Sequence, residues 1–376
     1  MGVALAGPLG SLAAVPYGLG AGIPPSFDLE DQFTTTDAAP LATPRNCEPG
    51  PGVLVATDAS SIQGITSGTL RINGTPGAVT GVESQSSFSR FCGRALLLSS
   101  PSRNTITSAA TRFGWSATGI AASGVSLDNG VGWSSTAAVT ARDGGASVFG
   151  QTLGAGGQDI AVVMRNSGAW ILVAAAGGGG VYTLMWVSTT GTGSELVKLA
   201  TGASATDISF GGAAGPGALR VISLGPPFST DFEPATFYSA SPSSGVTATG
   251  NAAGLTEITW TPASSETMDL SVRRTDDNNR WIIRCVQGSS SIALIENNAG
   301  SPTTRSSAAQ TWTVGTAFRI VHECNATAMR NVVGVTSKNS YNSATFNQTA
   351  TGIAASGFTT ATDLAAWPRT LTLPTL

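Results

Sequence analysis

Charge is the scarcest thing in this chain. Only 11% of its 376 residues are charged, against about 25% in an ordinary soluble domain. Lysine occurs twice, at Lys198 and Lys338, and histidine once, at His322. General acid–base chemistry therefore has little to draw on. The net charge of −3 comes without any basic stripe, which excludes binding through nucleic-acid phosphates. No apolar run reaches the roughly 18 residues of a membrane-crossing helix. None of the four cysteines sits in a C-x-x-C pair, so zinc is not expected. No amphipathic helix longer than two turns is legible. The 47 glycines and 19 prolines follow no period, which excludes collagen. A hydrophobic content of 41% excludes a disordered chain.

Short β-rich runs bounded by turn clusters fill the space. In the first half they include RALLLSS (94–100), DIAVVMR (159–165) and ELVKLAT (195–201). In the second they include TEITWTP (256–262), MDLSVRR (268–274), RWIIRCV (280–286) and AFRIVHE (317–323). MDLSVRR alternates, with Met268, Leu270 and Val272 facing one way and Asp269, Ser271 and Arg273 the other. Strands without intervening helices predict an all-β protein of antiparallel sandwiches. A Gly/Pro-rich stretch ending in Pro226-Pro227 divides it: an N-terminal arm over 1–25, a first sandwich over 26–225 and a second over 226–376. The arm has no Lys or Arg ahead of its apolar residues and is broken by Gly and Pro. It reads as an extended segment docked on another subunit or packed on its own domain, not as a secretion signal. The run GAWILVAAAGGGGVYTLMWV (168–187) reads as a buried hairpin or as an apolar face covered by a neighbour. The octapeptide ATGIAASG occurs at 117–124 and again at 350–357.

Few residues qualify as a site. Glycoside hydrolysis needs two carboxylates about 5–10 Å apart. The nearest sequence pairs are Asp28/Glu30/Asp31, Asp231/Glu233 and Glu266/Asp269, none in a catalytic pattern, so no catalytic residue is expected. Asp276 and Asp277 are candidate calcium ligands, with a turn as the stronger reading of TDDNN. Calcium would need Glu296 or another acid to approach. His322 lies in an apolar strand and reads as structural. Trp170, Trp186 and Trp281 read as core; Trp133, Trp312, Tyr341 and Trp367 are the candidate sugar-stacking aromatics. Cys47 with Cys92 and Cys285 with Cys324 are candidate disulfides, with four buried free thiols the alternative. N-x-T sequons stand at Asn73, Asn325 and Asn347. No cofactor is expected.

The second half, from STDFEP through MDLSVRRTDDNNRWIIRCV, SIALIEN and TWTVGTAFRIVHE, resembles concanavalin A-like (laminin-G-like) jelly-roll modules. DIAVVMRNSGAWILV in the first half is similar. Such modules occur in tail fibres, baseplates and capsid decorations of tailed phages and in glycan-binding proteins. The resemblance implies a non-enzymatic virion structural protein, assembled in the host cytoplasm from copies of itself and other virion proteins, with host-surface glycan as a further partner. The alternative is an extracellular lectin-like module. Membrane insertion is not expected in either case.

Overall fold

The computed structural model describes residues 27–373 except 35, 59–60, 62, 67–68, 73–77, 100–110, 134–137, 153–157, 176–179, 192, 203–207, 211–217 and 345. The arm expected over 1–25 and the sequon at Asn73 lie outside the described residues. The protein is all-β, with antiparallel pairing between its strands and one short helix, Ile120–Ser123, among the described residues.

The first sandwich packs a seven-stranded sheet on a nine-stranded one. The centre of the seven-stranded sheet is the hairpin of Gln158–Met164 and Ala169–Ala175. Ile160 through Met164 and Ala169 through Val173 are all 0% exposed. Covered on both faces, these strands read as continuous apolar runs instead of alternating ones. Within the run at 168–187, residues 169–174 and 184–187 are thus interior to this chain, whereas Val181 is exposed. Its hairpin turns at Gly168, where φ is +111° and a Cβ would sit 1.9 Å from the Ser188 carbonyl oxygen. Trp115 of the opposite sheet donates its indole N–H to the Val162 carbonyl at 2.9 Å, which fixes the two layers in register.

The second sandwich packs two six-stranded sheets around Trp260, Trp281, Ile283, Leu294 and Ile320. The alternation expected in MDLSVRR holds for Met268, Leu270 and Val272, which are buried. Arg273 departs from it. A bulge follows Val272, and Arg273 adopts φ +45°. Its side chain turns inward, 0% exposed, and donates to the Ala252 and Ala326 carbonyls, each at 2.7 Å. A bulge re-aims one side chain without disturbing the rest of the strand.

The two sandwiches share a core. Leu255, Val321, Val332 and Trp367, on the outward face of one second-half sheet, pack into the first-half cluster. The last strand, Thr370–Thr372, leaves the second half and pairs with Val181–Val187. Charge, scarce elsewhere, gathers at this join. Arg319 pairs with Glu257 at 2.5 Å, donates to the Val187 carbonyl at 2.8 Å and lies 4.8 Å from the Trp186 ring centroid. Arg165 stands over both Trp170 and Trp367. Arginine suits such sites because its flat, weakly hydrated fork stacks on rings while its edge bonds to oxygen.

The disulfide expectation is corrected. All four cysteines are free thiols. Cys47 sits beside Asp31 and Arg45, whereas Cys92 sits beside Asp231 and Arg165. The Cys92 thiol donates to the Phe228 carbonyl at 3.3 Å, and the Cys324 sulfur lies 3.1 Å from His322 Nε2. Burial pushes Cys47, Cys92 and Cys324 up to about 12 and Cys285 well above the usual thiol range. The thiolate is the reactive form, so none of them is activated. Titration with a thiol reagent in denaturant, without reductant, is expected to count all four cysteines. Native protein should react many times more slowly. A count of two or none would overturn the assignment.

Candidate functional site

A cleft of about 430 Å³ opens where the second sandwich meets the first. Its floor is the outward face of three consecutive strands: Phe318–Asn325, Ala328–Val333 and Thr336–Asn342. Register builds it in two rows. Glu323 pairs with Arg330 and Arg330 with Ser340; Asn325 pairs with Ala328 and Ala328 with Asn342. Side chains two apart share a face, and neighbouring strands lie about 4.8 Å apart. Two adjacent rows therefore present a shallow field of amide, hydroxyl and guanidinium groups. Gly150, from an edge strand of the first sandwich, and Arg369 complete the wall.

The charged part of the floor is fixed. Glu323 accepts from Arg330 Nη2 at 2.8 Å and from Arg369 Nη1 at 2.5 Å. Arg330 stands over Phe149, its Cζ 3.6 Å from the ring centroid. A planar cation held by a carboxylate at its edge and a ring at its face has little rotational freedom. Asn325, Ser340 and Asn342 are exposed and available to a ligand. Glu323 is the one carboxylate among the described lining residues, and both of its oxygens are committed to arginines.

Of the residues singled out from the sequence, the sequon residue Asn325 lines this cleft, and none of the candidate aromatics, acids or cysteines does. Trp133, Trp312 and Trp367, expected at the surface for sugar stacking, are at most 2% exposed. Trp133 and Trp367 lie on strands and pack into the first-sandwich cluster, and Trp312 packs into the second. Trp312, for example, packs edge-on against Trp260 and Phe318 and donates to the Ser291 carbonyl at 2.9 Å. Tyr341 is half-buried between Ser340 and Asn342, but its ring turns to the opposite side, toward Trp281 and Arg305.

Asp276 and Asp277 form a turn. Asp276 accepts from the Asn278 amide and the Asn279 side chain, and these bonds hold its carboxyl below the usual range. Asp277 pairs with Arg274 and Arg280, each at 3.1 Å. Glu296 goes to Arg305 at 2.8 Å. Among the described residues no three His, Cys, Asp or Glu side chains converge on a metal position. Asp231 bonds the Asn166 amide and faces Arg165. Asp269 takes both ends of Arg284, at 2.8 and 2.7 Å.

His322 is 1% exposed and structural. Its Nδ1 lies 2.6 Å from Asn331 Oδ1. Asn331 donates to Asn339 at 2.8 Å, and Asn339 to the Ile292 and Ser306 carbonyls of the facing sheet. Burial pushes the imidazole down to about 4.

No family model matches the chain, and no curated protein matches it. Several solved structures resemble part of it. The carbohydrate-binding module CBM66 from Bacillus subtilis matches with 10% identity and a TM-score of 0.28, over 37% of this chain and 95% of that one. The galectin LEC-6 of Caenorhabditis elegans matches with 11% identity and a TM-score of 0.30, over 36% and 94%. Sheep galectin-11, in complex with glycerol, matches with 7% identity and a TM-score of 0.28, over 35% and 99%. These likenesses concern the β-sandwich fold and say nothing about individual residues.

Proposed function

We propose that this chain is a non-enzymatic glycan-binding protein whose cleft at the join of the two sandwiches receives the saccharide. The observation that carries this reading is the floor itself. Asn325, Arg330, Ser340 and Asn342 converge on one sheet face, anchored by the Arg330–Glu323–Arg369 network. Saccharides offer paired hydroxyls, each both donor and acceptor. Amides and hydroxyls match that pattern, and a fixed guanidinium adds strong donors. Preorganisation reduces the ordering cost of binding.

The test is a glycan array on the full chain, followed by calorimetry on the best ligand. Asn325→Ala and Asn342→Ala are each expected to weaken binding by about tenfold, the worth of one or two lost hydrogen bonds, with thermal stability unchanged. An array with no ligand, or a ligand indifferent to both substitutions, would reject the cleft.

A second reading, a structural subunit of a tailed-phage virion, has one observation in its favour. Ser301–Ala309 forms the edge of its sheet, and most of its residues are exposed. An edge this long and polar offers backbone groups to a neighbouring copy. Light scattering that finds a closed oligomer supports this reading, and a stable monomer argues against it.

A further inference from the structure

On the outer face of the nine-stranded sheet, two arginines have no counter-charge among the described residues. Among the described arginines, Arg71 is exposed on the three-stranded sheet, and Arg45, Arg90, Arg94, Arg330 and Arg369, for example, each lie within 4.0 Å of a carboxylate. Arg273 is buried on backbone carbonyls. Among the described residues no carboxylate lies within 4.0 Å of Arg112 or Arg142, and the Nε of each is buried without a partner there. Arg142 keeps one bond, from Nη1 to the Gly145 carbonyl at 3.3 Å.

Register brings the two together. Arg112 pairs with Gly132, and Gly132 with Thr140. Arg142 pairs with Gly130, and Gly130 with Gly114. The Arg142 side chain bends diagonally across Gly132, so that a Cβ there would stand 2.9 Å from its Nε and 3.2 Å from Nη2. Gly132 is the residue directly beside Arg112. The glycines leave the sheet floor bare; the Arg142 guanidinium lies on it, and Arg112, in the adjoining register position, is half-buried like Arg142. The next cation on this face, Lys198, is turned under residues 123–126, which accept its three hydrogen bonds. Glu83, paired with Lys198 in the same row, is occupied at the Ile120 amide.

We propose that Arg112 and Arg142 form an oxyanion site that takes a single carboxylate, sulfate or phosphate group. Two unpaired cations converging in a half-dry environment repel each other, and an oxyanion between them relieves both costs at once. Desolvation, and for Arg142 the charge of Arg112, hold both groups below the usual arginine range. That is the direction expected of cations waiting for an anion. The proposal does not depend on the cleft: it concerns another face and another ligand chemistry.

The experiment follows thermal unfolding of the full chain in inorganic sulfate, inorganic phosphate and glucuronate. Sodium chloride holds the ionic strength constant. A saturable rise in Tm of about 2 °C is expected at tenfold saturation. Arg112→Gln and Arg142→Gln should each abolish the rise. Each should also leave the anion-free Tm equal or higher, because the repulsion is gone. A response to glucuronate as well as the inorganic ions makes an acidic saccharide the ligand; a response to the inorganic ions alone makes it a free anion. An equal rise in wild type and variants would be general stabilisation by anions excluded from the protein surface and overturns the proposal, as does no rise in wild type. If a glutamine variant fails to fold, Arg142→Lys keeps the charge but loses the fork and should weaken the response about tenfold.

Discussion

Glu323→Ala is expected to lower the unfolding free energy by about 3 kcal/mol, the low end for breaking a buried ion pair. The substitution leaves two guanidiniums, Arg330 and Arg369, at the join without a carboxylate. Glu323 itself is 7% exposed and Arg369 is sheltered, while the Arg330 side chain is 26% exposed. Solvent will screen part of the loss at Arg330, hence the low end of the range. Glu323→Gln retains an acceptor for one arginine and should lose about half as much. The shared core across the join predicts a single cooperative transition in urea, displaced to lower denaturant with unchanged slope. The substitution should also free Arg330 to rotate off Phe149 and so weaken any cleft ligand. A loss below about 0.5 kcal/mol would mean that the network is ordinary surface pairing.

Acidification from pH 6.5 to pH 4 should remove about 3 kcal/mol of stability through His322 alone. The sign follows from linkage. Folding lowers this imidazole from its usual 6.5 to about 4, because burial penalises the charged form, with Arg273 adding to the effect. The unfolded chain therefore takes up a proton first, near 6.5, while the folded chain stays neutral. The stabilisation is fully present above the unfolded value and is lost as pH falls toward the folded one. Each unit of difference corresponds to about 1.4 kcal/mol. His322→Gln has no ionisable ring and should flatten the stability profile across this window, at the cost of a constant loss from the disturbed contacts with Asn331 and Cys324. Parallel profiles for wild type and variant between pH 6.5 and pH 4 would place the acid sensitivity elsewhere.

The assembly of the cleft explains why it was hard to read. Glu323 and Asn325, then Arg330, then Ser340 and Asn342, occupy alternate positions on their strands. Each strand separately shows a polar side, which any solvated sheet also shows. Only the register sets Glu323 against Arg330 and Asn325 against Ala328 and Asn342. Only the docking of the first sandwich brings Phe149 under Arg330. The tryptophans failed as markers for the opposite reason. Their loop-like surroundings suggested exposure, but a large apolar ring is worth most when buried, and the charge-poor surface left the core to collect every tryptophan whose burial is described. Of the two readings of the cysteines, pairing within each half gave way to four free thiols, because sharing a half of the chain places no constraint on Cα separation.

The sequence by itself determined the class of the protein. Its β-branched runs, its turn clusters and the absence of helical periodicity leave antiparallel sandwiches as the way to bury so much apolar surface with so little charge. Tertiary structure decided everything that depends on which strand lies beside which. The repeated octapeptide makes the point in one case. ATGIAASG at 117–124 forms the helix Ile120–Ser123, with Glu83 accepting from its first amide. The same eight residues at 350–357 form the strand Gly352–Ser356, paired on both sides. Both isoleucines are buried, at 3% and 0% exposure. Local propensity in so small-residue a peptide is nearly neutral, so the backbone takes the form whose hydrogen-bond partners the surrounding fold supplies.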